Sequence, residues 1–112
     1  MLHKTVTING VNFSLLTGKK AEALVEDYKR AERNGYTWLS DVYGRCSYAK
    51  ERAFDDCEEM RRRVGGGIMY IASYNTTMFT LVYLLRHEGH EYIVKETPSY
   101  RFIAEVNFGA LR

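Results

Sequence analysis

The chain has 112 residues, 46% hydrophobic and 27% charged, with a formal net charge of +2. That composition excludes a disordered polyelectrolyte, and the length suits one domain over residues 1–112 with a core of its own. The small positive balance falls well short of the clustered excess of a dedicated nucleic-acid binder, and the longest apolar-rich stretch, "MFTLVYLL", is less than half of the roughly twenty residues a membrane helix needs.

Residues 4–16, "KTVTINGVNFSLL", read as a hairpin. Val6 and Ile8 alternate with Thr5 and Thr7, and Val11, Phe13 and Leu15 alternate with Asn12 and Ser14. Between them stands Asn9-Gly10, whose two positions suit the positive φ angles of a tight turn. Thr17 can cap the helix that follows. Ala21, Leu24, Val25, Tyr28 and Ala31 share one helical face, and Asn34-Gly35 supplies the stop. A connector, "YTWLSDVYGR", leads to a second helix from about Ser47 to Val64. Its buried stripe is Ala49, Ala53, Cys57, Met60 and Val64, with Phe54 beside it, and Gly65-Gly66-Gly67 ends it.

The period then changes from helical to alternating. "IMYIASYN" and "MFTLVYLLRH" are strands joined near Asn75-Thr76-Thr77, and "HEYIVKET" follows Glu88-Gly89. The middle strand is apolar on both faces: Met78, Val82 and Leu84 on one, Phe79, Leu81, Tyr83 and Leu85 on the other. That is the pattern of a central strand. Pro98 breaks the third strand, and "YRFIAEV" makes a fourth. The expected architecture is α+β: an N-terminal β-hairpin, two helices, then an antiparallel three- to four-stranded meander. The order is ββααββββ, with the helices packed on one sheet face.

Each candidate site has a plain structural alternative. His87 and His90 in "RHEGHE" have an HxxH spacing, but they flank a turn and lack a third placed ligand, so solvated turn residues are expected and no metal or cofactor is assigned. Cys46 and Cys57 match no CxxC or zinc spacing, and two reduced thiols in an intracellular protein are expected. "GGG" lacks the residues of a phosphate loop. No catalytic set emerges. Arg61, Arg62 and Arg63 form the densest basic run and are the candidate phosphate contacts of a nucleic-acid-binding alternative, in which the sheet tyrosines would stack on bases. However, Glu58 and Glu59 precede Arg62 and Arg63 by four residues, the spacing of helical ion pairs on a solvated face. The tyrosines give the last candidate. Tyr70, Tyr74, Tyr83, Tyr92 and Tyr100 spread over the proposed strands and, with Arg86 and Arg101, have the composition of a partner-binding surface, unless the rings complete the core. Tyr70, Tyr74, Tyr83, Arg86 and Arg101 are the expected contacts.

Four segments, "WLSDVYGRCSYAK", "IASYNTTMFT", "EYIVKET" and "TPSYRFIAEV", resemble a group of small proteins encoded by phages, prophages and related mobile elements of gut and Gram-positive bacteria. The likeness spans about residues 36–106. Cys46 stands where that pattern tends to have Pro, so the start of the second helix is expected to differ. The resemblance implies a mobile-element origin rather than a particular chemistry. Small phage proteins without a catalytic signature often bind a host protein, including defence nucleases of the CRISPR type. The expectation is therefore a non-enzymatic interaction protein that modulates a host protein in the bacterial cytoplasm. No membrane partner is expected, and there is room for a homodimer. Trp38, the single Trp, is read chiefly as a structural peg that plugs the end of the sheet, against the alternative of a binding loop.

Overall fold

The computed structural model of the chain describes residues 4–34, 48–74 and 79–106. In chain order the elements are β1 (Thr5–Ile8), β2 (Val11–Leu15), α1 (Gly18–Arg33), α2 (Tyr48–Val64), β3 (Met69–Tyr74), β4 (Phe79–His87), β5 (His90–Glu96) and β6 (Arg101–Val106). The order ββααββββ is the expected one. The Trp38 connector, Cys46, the Ser47 cap, His3 and the turn at 75–77 lie outside the described residues.

The hairpin turns where the sequence places it. Asn9 and Gly10 have φ of 49° and 83°, a geometry Gly adopts without strain, and Ile8 pairs with Val11. The four C-terminal strands form the antiparallel meander.

Two features correct the expected architecture. First, the described strands make a single six-stranded sheet in the order β1-β2-β6-β5-β4-β3. The hairpin joins the meander through a short parallel seam, Ser14 opposite Phe102 and Leu15 opposite Ile103, and the Leu16 N–H donates to the Ile103 carbonyl at 2.8 Å. Second, the helices lie on opposite faces. The α1 stripe (Leu24, Tyr28, Ala31) packs on Val82, Ile93, Ala104 and Val106. The α2 residues Phe54 and Cys57 pack on Phe79 and Leu81, while Met60 and Val64 pack on a cluster of Tyr83, Leu85, Val94 and Ile103 with Ile8, Val11 and Phe13 of the hairpin. The cause is the two-faced apolarity of β4. Each face must be covered, and one helix covers each.

Coverage is unequal. On the α2 side the hairpin contributes Ile8, Val11 and Phe13 to the core at 3% exposure or less. On the α1 side its residues are Thr5, Thr7, Asn12 and Ser14, of which the first three are exposed. Thus α1 covers β3 to β6 but leaves the outer two strands bare on its face.

Candidate functional site

The structure divides the predicted partner-binding set. Tyr70 and Arg86 are on the α1 face, where the Tyr70 ring meets Tyr28 edge-on at 5.9 Å and Arg86 pairs with Glu91 at 2.7 Å. Tyr83 is on the α2 face and fully buried, so it belongs to the core and not to a contact surface. Arg101 is on that same face, partly exposed, with Nε 3.5 Å from Glu96 Oε2. The Tyr74 side chain lies outside the described residues. No single surface unites these residues, because alternate positions of a strand point to opposite faces.

The basic run is largely spoken for. Arg61 bonds Glu58, its Nε at 3.0 Å from Oε2, and its Nη1 donates to the Gly66 and Gly67 carbonyls at 2.9 Å each. It therefore fastens the chain where α2 ends. Arg62 and Arg63 form the expected i,i+4 pairs with Glu58 (3.2 Å) and Glu59 (3.5 Å). The Arg61 contacts hold the Glu58 carboxyl below its ordinary range against the opposing effect of burial. His87 and His90 face each other across the Glu88-Gly89 turn, and His90 Nδ1 lies 2.9 Å from Glu105. Among the described residues no group of three or more potential ligands comes together to hold a metal.

A buried polar cluster was missed by sequence reading. Glu96 ends β5 at 0% exposure, and Tyr83 Oη donates to its Oε1 at 2.6 Å. The Cys57 thiol of α2 is buried on the same side of the sheet and interacts with this carboxyl electrostatically. Among the described residues Glu96 Oε2 and Arg101 Nε are both buried without a hydrogen-bond partner. Burial raises the Glu96 carboxyl above the carboxylate range, offset in part by Tyr83, Arg101 and Cys57. Burial and the neighbouring Glu96 also push the Tyr83 phenol up and the Cys57 thiol to about 12. Cys57 is thus a buried free thiol whose protonated form is favoured at neutral pH. The only sequence signal was the alternation "IVKE", which puts Glu96 on the same face as Val94 and hence opposite α2.

The accessible feature lies on the other side. Beside α1, where its cover of the sheet stops, runs a groove of about 320 Å³. Lys20, Ala23, Leu24 and Asp27 form one wall, at helical spacing. Leu16, Phe102 and Lys95 line the rest. The Phe102 ring lies 4.6 Å from that of Tyr100, tilted by 44°, and Tyr100 is 39% exposed, so the aromatic surface continues out of the groove. Lys95 Nζ donates to Asp27 Oδ2 at 3.1 Å, while Arg30 holds Oδ1 at 2.6 Å. One carboxylate, Asp27, is therefore shared by two cations, Lys95 and Arg30, and Lys20 lines the same groove. The opposite flank of α1 borders a second depression carrying Glu22, Glu26 and Glu105 beside Lys29. Sequence reading missed the groove because its charged residues sit off the buried stripe and Phe102 is distant in the chain.

No helix among the described residues is long and apolar enough to cross a membrane. Comparison with known protein families, curated proteins and solved structures finds no match to this chain.

Proposed function

We propose that this chain is a small non-enzymatic interaction domain of phage or prophage origin that binds and modulates a host protein. Inhibition of a host defence nuclease of the CRISPR type is its sharpest form. The single observation carrying the reading is the unequal cover of the α1 face. A groove with the Phe102 ring in it opens onto two bare strands, on an otherwise two-sided and well-filled sheet. Concave, partly apolar surface with a few placed charges is what partner recognition uses. The mobile-element origin rests on the segment resemblance alone. The contact surface proposed here sets aside Tyr83 and Arg101, which lie on the α2 face, and takes Phe102 with Tyr100 beside it, while Tyr70 and Arg86 lie on the α1 face.

The test is affinity capture from lysate of a Gram-positive host, comparing the native chain with Ala23→Arg. Ala23 is exposed on α1, so the substitution fills the groove without touching the core. The reading expects one protein retained by the native chain and lost from Ala23→Arg. Failure of the native chain to retain any protein specifically contradicts it.

A further inference from the structure

The groove beside α1 has a chemical preference that the interaction reading leaves open. Four observations set it. The lining is apolar at Leu16, Ala23, Leu24 and Phe102. Lys20 is exposed at its rim and has no carboxylate among the described residues within 4.0 Å, whereas Lys95 already shares Asp27 with Arg30. The first turn of α1 contains no acidic residue, and Thr17, at the N-cap, makes no side-chain cap bond. The positive end of the helix dipole is thus reinforced by Lys19 and Lys20 rather than balanced. Finally, the charge reverses across the helix, with Glu22 and Glu26 on the far flank. A ligand attracted to this flank is anionic, and one held in the groove is also apolar.

From this juxtaposition we infer that the groove takes an acidic peptide segment of the partner protein, with one bulky apolar side chain seated over Phe102 and flanking carboxylates at Lys20 and the start of α1. The inference rests on the proposed interaction function and specifies the partner's chemistry. The exposed residues Thr5 and Thr7 extend the same face for the rest of the segment. The steering is electrostatic, so binding weakens with salt while the apolar contact remains.

The experiment is a backbone-amide NMR titration of the full chain with two blocked synthetic peptides. Each has a central Leu-Phe, flanked in one by Glu and Asp and in the other by Lys. The expected result is shifts at Leu16, Lys20, Ala23 and Phe102 with the acidic peptide only, weakening at least about fivefold between about 50 and 300 mM salt. Lys20 is exposed, and Lys20→Glu should remove them with the rest of the amide spectrum preserved. Equal binding of the basic peptide, shifts confined to other surfaces, or retained binding by Lys20→Glu overturns the inference. Displacement of the acidic peptide by a single-stranded oligonucleotide that binds more tightly overturns it in favour of nucleic acid. Host-lysate capture by Lys20→Glu separates the two levels. A host protein held equally by the native chain and Lys20→Glu leaves the interaction function standing and removes this groove. No host protein held by either removes the function itself.

Discussion

At the scale of single residues, Glu96 and Gly66 govern the most. Glu96 is buried with one strong hydrogen bond and one unfilled oxygen, so its proton is held more tightly in the folded chain than in the unfolded one. The sign follows. As pH rises above the ordinary value of 4.5, the unfolded chain releases this proton first, and the folded state loses stability until Glu96 itself ionises. Glu58 acts oppositely, since its lowered pKa contributes stability that is lost as pH falls through the folded value. Glu96→Gln should therefore flatten the fall in stability from pH 4.5 upward, as read by urea midpoints across that range, while leaving the acid-side loss due to Glu58. An unchanged slope would remove Glu96 as its source. Glu96→Ala, by contrast, strands the Tyr83 hydroxyl and should cost about 1–3 kcal/mol. Gly66 is required by close approach: a Cβ there would stand 2.7 Å from the Tyr83 ring and 2.9 Å from Arg61 Cγ. The ring is fixed in the core, so Gly66→Ala should destabilise by about 1–3 kcal/mol in chemical unfolding. Neither constraint was legible in sequence. "GGG" reads as a helix stop, but which glycine touches Tyr83 depends on two elements meeting.

At the scale of elements, the sequence was most informative where the periodicity was cleanest. All five residues of the α1 stripe, Ala21, Leu24, Val25, Tyr28 and Ala31, belong to one cluster with the sheet. Phe54, Cys57, Met60 and Val64 of α2 likewise face inward. Phe54 is fully buried, 5.0 Å from the Phe79 ring, and Phe54→Ala should cost about 3–5 kcal/mol. The expected pairs of Glu58 with Arg62 and Glu59 with Arg63 are present because helical spacing alone decides them. The expected Thr17 cap occupies its position without making its bond, and α1 carries lysines where its dipole favours acids. Lys20→Glu should thus raise the stability of the folded chain by about 0.3–1 kcal/mol in thermal unfolding. A drop in stability would show that Lys20 holds the fold and would leave its place in the groove unexplained. A gain coupled to lost peptide binding separates function from stability at one residue.

At the scale of the molecule, the sequence predicted the element order but not the sheet. Hairpin and meander each follow local rules of turn and alternation. Their junction does not: it is a two-residue parallel seam between positions 14–15 and 102–103, with no local signature. The two-faced apolarity of β4 did hold the clue that both faces are covered, and reading it as a central strand under helices on one side left Val82 and Leu84 or Tyr83 and Leu85 without cover. The seam makes a checkable claim. The Leu16 amide, bonded to Ile103, should exchange with solvent at rates like those of β5 amides, because hairpin and meander share one core. Exchange as fast as that of an isolated hairpin would mean two weakly joined units. The same architecture leaves the α1 side of the hairpin bare and creates the groove, and the proposed activity depends on that opening. The most direct measurement places a photo-crosslinking amino acid at position 23, with position 59 on the outer side of α2 as control, and irradiates the chain in host cells. The account predicts one protein adduct from position 23 and none from position 59. Adducts only to nucleic acid, or the same adducts from both positions, would contradict it.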